Sequence, residues 1–485
     1  MQFSAILTSI ALVCAASVLF PSPTYAQTKE FSQADSALLE MAQAYKQRDR
    51  KRLVTLLQQV RGHALEPWAA YWDLSARLDE ASVPEIQAFL TRYSGTYQED
   101  RLRAEWLLKL GRNRDWVAFN REYPLYRMND DKSVRCYALL ADHLSSATDI
   151  HTQLRDTWLS LREADEACSS AAEQVLKDHS ETTRTVWLRA RLGMENDRLR
   201  VATQAVGLVN PKLSKTVNEI YLNPGKYLND KLTAFQPKTR EMVTLALIRQ
   251  AYLDPAEAAH EMGKLRWKAQ LTDEERNWLW GVIGKRAALK MSNDAVDYFA
   301  RGTASDMHDD HLAWQARAAL RMGRWTQVLG SIEAMSETQR NDPTWVYWRA
   351  RALLRQPATE GANAQAQQLF QSIAGVRGFY EQLALEELGQ RITVASRPSP
   401  LTADEKVAAL QNPGLNRALY AIRIGLRPEG VREWNYATNL HVRGGMDDRA
   451  LLAAADLACQ HEVWDRCINT SERTRLVMDL EQRFP

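Results

Sequence analysis

The segment AWQARAALRMGRWTQVL, residues 313–329, shows the pattern that decides the fold of this chain. Its first half is rich in Ala, Leu and Arg, which are strong helix formers, and it ends at Gly323. After a short polar turn, Trp325 opens a second amphipathic segment that continues through Val328 and Leu329. Small residues let two such helices approach closely, and the tryptophan fills the hinge between them. The segment therefore predicts a helical hairpin.

The same arrangement recurs at irregular intervals. It runs from 104–107 through Gly111 to 116–119, from 187–190 through Gly193 to Leu199, and more weakly from His441 through Gly444 and Gly445 to 448–451. A single hairpin cannot bury its apolar face alone, so successive copies stack into a superhelix. Because the copies have no fixed period and alternating strand patterns are scarce, the sequence predicts an all-α fold, an irregular TPR-like α-superhelix.

Local signals support this prediction. Leu38, Met41, Ala42 and Tyr45 fall on one helical stripe. Thr272 followed by Glu275 predicts a capping box that opens a helix, and the acidic pair Asp309-Asp310 favours another helix start.

Two stretches predict breaks between groups of helices. Residues 221–237 contain Pro224, Gly225 and Pro237 with little periodicity, and residues 396–400 contain Pro398 and Pro400. The second break predicts a boundary between a long superhelical domain, residues 27–395, and a smaller C-terminal helical domain, residues 401–485.

The first 26 residues predict a cleavable signal peptide and a periplasmic protein. They carry no charged side chain, and an apolar run over residues 5–20 precedes Pro21, Pro23 and the small residues Thr24 and Ala26. The run is short for a membrane anchor, which is the lesser alternative. Lipidation at Cys14 is another, although Val13 stands where a lipobox has a small residue.

Composition excludes two further classes. Acidic and basic residues nearly balance, at 60 against 62, so we expect no nucleic-acid partner. No later stretch approaches the roughly 18 apolar residues of a membrane helix, so we expect no membrane span after signal cleavage.

Four cysteines follow the signal peptide, as the local pairs Cys136–Cys168 and Cys459–Cys467. An exported chain meets an oxidising compartment, so two disulfides are predicted, with free thiols as the alternative. A metal site is disfavoured because the sequence has no C-x-x-C or H-x-x-x-H spacing.

No motif identifies a catalytic or cofactor site. The chain has no G-x-S-x-G elbow, no P-loop and no G-x-G-x-x-G. We expect no cofactor, and His260, His308, His311 and His461 are predicted to be surface or capping histidines.

Fifteen tryptophans are unusual. At helical spacing beside Ala and Leu, most are expected to fill gaps between irregular helices, although aromatic rings also stack on sugars. Trp345, Trp348, Arg349 and Arg351 are the candidates for facing a glycan on a concave surface.

One segment carries a family resemblance. The run from Gly378, Phe379 and Tyr380 to Leu388-Gly389 resembles a "GFY…A…LG" stretch of soluble lytic murein transglycosylases. Residues 345–353 look like the preceding helix of that family's superhelical domain, residues 412–434 resemble its linker domain, and the final Arg483-Phe484-Pro485 resembles the sequence just before its catalytic domain.

The resemblance implies a superhelix able to close into a ring, with a lysozyme-like domain that cleaves the bond between N-acetylmuramic acid and N-acetylglucosamine and forms a 1,6-anhydro product. One glutamate would act as acid and then base. That glutamate lies in a Glu-Ser dipeptide followed by Gly-Leu-Met-Gln, and neither motif occurs in these residues. We therefore assign no catalytic residue and expect the catalytic domain to be absent, through truncation, a split gene or a non-catalytic paralogue.

Three functions remain open at this point. The chain is expected to be the non-catalytic ring and linker of such an enzyme, with peptidoglycan glycan strands and other cell-wall enzymes as partners. A TPR-like periplasmic scaffold that binds only proteins is the alternative, and a glycosidase with unrecognised carboxylates is the least favoured.

Overall fold

The computed structural model describes residues 32–176, 180–356, 361–393, 396–442 and 445–485. Within these ranges the regular elements are thirty α-helices and three short 3-10 turns, with no strand. The predicted all-α superhelical class is thereby confirmed. The predicted signal peptide lies outside the described residues.

The first third of the chain forms nine helices. They are α1 (Gln33–Gln47), α2 (Arg50–Leu57), α3 (Glu66–Ala76), α4 (Val83–Arg92), α5 (Tyr97–Arg112), α6 (Trp116–Glu122), α7 (Lys132–Ser146), α8 (His151–Leu159) and α9 (Glu166–Leu176). In α1 the predicted apolar stripe faces the core, since Leu38 and Met41 are buried. Ser32 and Asp35 form a capping box at its start.

The middle of the chain contains the longest helices. They are α10 (Ser180–Glu195), α11 (Leu199–Val209), α12 (Leu213–Leu222), α13 (Pro224–Asp230), α14 (Pro237–Leu253), α15 (Pro255–Gly263), α16 (Leu265–Gln270), α17 (Asp273–Leu289), α18 (Ala295–Phe299), α19 (Asp309–Arg321), α20 (Trp325–Glu333), α21 (Glu337–Arg340) and α22 (Pro343–Leu354). The predicted Thr272–Glu275 capping box opens α17. The predicted helix start at Asp309 is the first residue of α19.

Eight helices complete the chain. They are α23 (Ala362–Ile373), α24 (Phe379–Glu387), α25 (Ala403–Gln411), α26 (Pro413–Arg423), α27 (Arg427–Ala437), α28 (Asp448–Gln460), α29 (Trp464–Ser471) and α30 (Leu480–Arg483). None of the helices in the described ranges is long and apolar enough to cross a membrane.

The predicted hairpins are present, and close packing explains their glycines. Gly193 lies in α10 opposite the start of α11, where an added Cβ would come within 2.8 Å of the Ala202 backbone nitrogen. Any larger side chain would push the two helices apart. The segment 313–329 lies in α19 and α20, and the chain turns between these helices at Gly323, which has a positive φ of 67°. In the weaker copy, Gly444 lies outside the described residues.

The first predicted break is wrong in part. Residues 224–230 form α13, because Pro224 takes a first-turn position where its missing N–H is not needed and the Asn223 side chain accepts from the Lys226 amide at 3.0 Å. Apart from the single residue Asn223, only residues 231–236 lack regular structure in this stretch. The second predicted break, residues 396–400, is without a helix.

Buried apolar side chains form three clusters. The largest runs from α1 to α22 and also takes in Ala421, Ile424 and Leu426. A smaller cluster joins α22, α23 and α24 around Phe370. Another, around Trp434, is formed by helices α25 to α29. The C-terminal helices thus have a core of their own and also contribute to the main one.

Candidate functional site: the closing contact and the cavities of the superhelix

The first and last parts of the superhelix meet at Glu433 in α27. Its side chain is buried, with only 1% of its surface exposed. The Trp68 indole N–H donates to one carboxylate oxygen at 2.8 Å, and the Gln98 amide donates to the same oxygen at 2.9 Å. The Arg417 guanidinium donates to the other oxygen at 2.5 Å. One carboxylate therefore joins α3 and α5 to α26 and α27.

A second polar group strengthens this closing contact. The Tyr420 hydroxyl of α26 donates to Asp35 of α1 at 2.8 Å, and the His63 ring lies 3.2 Å from the same carboxylate oxygen. The pKa of Asp35 is lowered: partial burial opposes the shift, but hydrogen bonds from Tyr420 and Ser32 outweigh it. The ionised carboxylate is thus the favoured state at this junction.

Aromatic and apolar contacts complete the junction. Tyr436 of α27 meets Tyr97 of α5 edge-on, with ring centroids 6.0 Å apart. The Arg127 guanidinium lies 5.7 Å from the Tyr436 ring, and His441 stacks on it at 4.6 Å. Ile424 is buried in the same apolar cluster as core residues of the N-terminal third. The series of helices therefore closes on itself, which the sequence predicted only through the family resemblance.

A buried charged cluster ties three distant helices together. Glu195 at the end of α10 is 1% exposed, and Lys285 of α17 donates to it at 2.6 Å. The His311 Nε2 of α19 lies 3.1 Å from both of its carboxylate oxygens. Lys285 also contacts Asp310. Gly281 leaves room for this arrangement, because a Cβ there would lie 2.6 Å from the His311 ring.

The electrostatics of this cluster favour the charged forms of Glu195 and Lys285. Burial alone would raise the pKa of Glu195, but His311 and Lys285 lower it well below its usual range. The pKa of Lys285 is raised, since the attraction of Glu195 and Asp310 exceeds the opposing effect of burial. His311 is not a surface histidine, because its ring is 1% exposed, but it does act in capping as predicted: its Nδ1 accepts from the His308 backbone N–H at 3.4 Å and completes the capping box of α19. His308 does cap α19 as predicted.

Two cavities flank this cluster. One, of about 660 Å³, lies between the end of α8, the loop that follows it, α10 and α11, with Lys285 and Asp310 in its wall. The other, of about 750 Å³, is lined by α8, α10, α14 and α17. His308 lies in the wall of both.

The second cavity is dominated by an ion-pair network. Arg191 of α10 donates to Glu241 at 2.7 and 2.9 Å and to Glu274 at 2.6 Å. Burial raises the pKa of Glu241 against the opposing effect of Arg191. The Arg191 guanidinium also lies 5.7 Å from the ring of Trp278. Each of these charged side chains has an opposite partner within the protein, so the network holds α10, α14 and α17 together.

Of the four candidate glycan-facing residues, the structure buries one. Trp345 is 2% exposed and lies under the Arg317 guanidinium at 5.1 Å, so its ring is not available to a ligand. Trp348 is half-buried, and its indole N–H donates to the Tyr380 hydroxyl at 3.3 Å. Most of the other tryptophans fill the core as expected, while Trp464 is exposed.

The two candidate arginines are both paired. Arg349 lies 3.8 Å from Glu333, and Arg351 forms an ion pair with Glu387. Because of these partners, neither offers a free charge to a ligand, and glycan contact at Trp348, Arg349 and Arg351 stays a prediction.

The family signature residues lie at the start of α24. The Gly378 backbone N–H donates to Glu381 at 2.9 Å, which fixes the helix start. Phe379 is 70% exposed, whereas Tyr380 contacts Trp348 of α22. The structure therefore brings Tyr380 of the signature together with one of the predicted aromatic residues.

Both predicted cysteine pairs are bonded. Cys136 and Cys168 join α7 to α9, with their Cα atoms 4.9 Å apart, and Cys459 and Cys467 join α28 to α29 at 5.1 Å. Asp165 lies beside the first pair, but both sulfur atoms are already in the disulfide. They are therefore not available as thiolate ligands for a metal ion.

No family model matches the chain. Two curated relatives match nearly all of it. The soluble lytic murein transglycosylase of Salmonella typhimurium is 21% identical over 487 residues, which cover 98% of this chain and 72% of the relative. That of Escherichia coli K12 is 20% identical over 491 residues, with the same coverage of both chains.

Solved structures share the fold. The lytic transglycosylase Slt of Pseudomonas aeruginosa, solved as an inactive mutant, superposes with a TM-score of 0.61 at 23% identity, covering 94% of this chain and 73% of that one. The 70 kDa soluble lytic transglycosylase of E. coli gives 0.56 at 17% identity, covering 93% and 72%. A complex of the 70 kDa soluble lytic transglycosylase with bulgecin A gives 0.54, also at 17% identity.

The closed series of helices and these superpositions define the class: an all-α superhelical protein with the fold of the soluble lytic transglycosylases. Together with the sequence relationship over 98% of its length, this makes the chain a homologue of the soluble lytic murein transglycosylases, as the Gly378-Phe379-Tyr380 segment predicted.

Proposed function

We propose that this chain is a periplasmic peptidoglycan-binding protein that acts as the non-catalytic ring and linker of a lytic transglycosylase. The contact that carries the proposal is the closure at Glu433, where donors from α3, α5 and α26 converge on one carboxylate. Closure gives the superhelix a fixed shape that can seat a glycan strand. The two curated relatives are named for action on murein.

The proposed division of labour follows from the residues. We assign no catalytic residue to this chain, because the Glu-Ser and Gly-Leu-Met-Gln motifs are missing from its sequence. Cleavage between N-acetylmuramic acid and N-acetylglucosamine, with a 1,6-anhydro product, would require a lysozyme-like domain. The superhelix and the C-terminal helices of this chain would hold the strand and position it.

Sedimentation with purified sacculi tests the proposal. The purified chain should pellet with sacculi freed of protein and lipid, and the bound fraction should saturate. Chitin, which lacks muramic acid and peptide, is the matched insoluble control and should retain much less. A chain that stays in the supernatant with sacculi would contradict the proposal and favour a scaffold that binds only proteins.

Zymography addresses cleavage separately. In a gel that contains sacculi, the refolded chain should give no clearing band, because the motifs of the catalytic centre are missing. A clearing band would show that carboxylates of this chain cleave the glycan, and the assignment as the non-catalytic part would fall.

A further inference from the structure

The cavity of about 660 Å³ beside α10 has an excess of positive charge in its wall. Its basic side chains are Arg162, Arg189, Arg198 and Lys285, and its acidic ones are Glu195 and Asp310. Both acids are already committed to Lys285, and Glu195 also to His311. Neither acidic side chain of the wall is therefore free to neutralise the positive charge of the arginines.

Arg189 is the central observation. It is 2% exposed, and within the described chain its guanidinium donates only to backbone carbonyl oxygens, those of Leu161 and, at 2.7 Å, of Glu163. Burial lowers its pKa to about 10, against the attraction of Asp165 and Glu163, whose carboxylates do not contact it. A buried cation with neutral partners is unfavourable unless an anion approaches.

The neighbouring arginines also favour the binding of an anion in this cavity. Arg162 lies at the exposed rim and forms no ion pair with the described residues. Arg198 pairs with Glu163 at 3.0 Å, but both side chains are well exposed, at 49% and 70%, so water screens the pair. An anion in the cavity would face Arg162 at the rim and the positive charge of the buried Arg189 in the wall.

We propose that this cavity binds the carboxylate of a soluble peptidoglycan fragment, a peptide-bearing disaccharide. The inference rests on the proposed function for the choice of fragment, whereas the charge of the cavity rests on the residues alone. Its volume lies within the range of roughly 300–1,000 Å³ of small-molecule sites. Exposed Ser160 and Asn196 at the mouth offer neutral hydrogen-bonding groups beside the arginines.

Isothermal titration calorimetry of the full chain with defined fragments tests this site. The probes are the disaccharide-tripeptide, the free tripeptide, N-acetylmuramic acid and the tripeptide with its carboxylates amidated. Binding of the tripeptide would identify the peptide as the source of the carboxylate, and binding of N-acetylmuramic acid alone would identify the sugar. Equal affinity for the amidated tripeptide, or no heat with any probe, would overturn the proposal.

Three substitutions sharpen the test. Arg162→Gln should weaken binding about tenfold, as expected for the loss of one charge-assisted contact. Asn196→Trp, at an exposed position at the mouth, should block the cavity and abolish binding. Arg200→Gln is the matched control, because this exposed arginine of α11 lies outside the cavity wall. Arg189 itself is left in place, since its carbonyl contacts hold the loop after α8.

The site and the proposed function can fail separately. Asn196→Trp should still sediment with sacculi, because the glycan strand is held by the ring as a whole. Unchanged fragment affinity in Asn196→Trp would overturn the cavity site and leave the sacculus result standing. If the chain binds the fragments but does not sediment with sacculi, the proposed function is contradicted and the cavity site still stands.

Discussion

At the scale of single residues, the most informative side chains are buried charges that join distant parts of the chain. Glu195 and His311 are separated by 116 residues, and Trp68 and Glu433 by 365. Neither pair leaves a local signal, because each residue alone looks like an ordinary helix residue. Sequence reasoning therefore missed Glu195, Lys285 and His311 as a cluster and Glu433 as the closing residue.

Loss of the closing carboxylate should destabilise the fold strongly. Glu433→Ala leaves the Trp68 and Gln98 donors and the Arg417 charge without their acceptor, which is expected to cost about 3–5 kcal/mol of unfolding free energy. Denaturant unfolding followed by circular dichroism measures the change. The control is Glu40→Ala, which removes a surface pair with Arg52 and should cost less than about 1 kcal/mol. Similar losses in the two variants would contradict the role of Glu433.

The Glu195 cluster should make stability depend on acid pH. The folded-state pKa of Glu195 is lowered below its ordinary value of 4.5, so its stabilising contribution is fully present above that pH and is lost as the pH falls toward the folded-state pKa. Glu195→Gln removes this contribution. The difference in unfolding free energy between wild type and Glu195→Gln should therefore be large at neutral pH and shrink below pH 4.5.

Unfolding curves at neutral pH and in acid, recorded for both proteins, give this difference directly. Glu40→Gln, which alters a solvent-accessible surface pair with Arg52, is the control and should change little at either pH. If the difference in unfolding free energy between wild type and Glu195→Gln stays constant on acidification, the Glu195 carboxylate is not held ionised by Lys285 and His311.

At the scale of helices and hairpins, sequence was a better guide. The capping residues Thr272 and Glu275, the acidic start of α19 and the glycine turn at Gly323 act through neighbours a few residues away, and the structure has all three. The break predicted at residues 221–237 was wrong in part because Pro224 was read as a breaker, although proline is favoured in a first helical turn. Local chemistry determines the helices, and long-range packing determines how they meet.

The two disulfides should differ in how much they stabilise the fold. Cys136–Cys168 closes a loop with a sequence separation of 32, and Cys459–Cys467 one of 8. Loop-closure entropy gives about 4 kcal/mol for the first and about 2.5 kcal/mol for the second. Paired Cys→Ala variants, compared by denaturant unfolding, should follow this order. A larger loss from the Cys459–Cys467 pair would contradict an entropic origin.

At the scale of the whole molecule, closure is what distinguishes this chain from an open helical repeat. The large cluster of buried side chains runs through the superhelix and returns to include Ala421, Ile424 and Leu426 of the last third. The family resemblance anticipated a ring, but composition and periodicity could not, because closure depends on the summed rotation of many irregular helix pairs. The boundary between domains at residues 395–401 stays a prediction.

A distance between the two ends of the superhelix tests closure most directly. Nitroxide labels at Glu40→Cys in α1 and Arg423→Cys in α26 would sit on a half-buried and an exposed position near the contact of Leu39 with Gly425. Four native cysteines are held in disulfides, and the fifth, Cys14, is replaced by serine in the labelled protein. Pulsed electron spin resonance should give one short and narrow distance distribution in solution. A broad distribution centred at long distances would show an open superhelix and contradict the account.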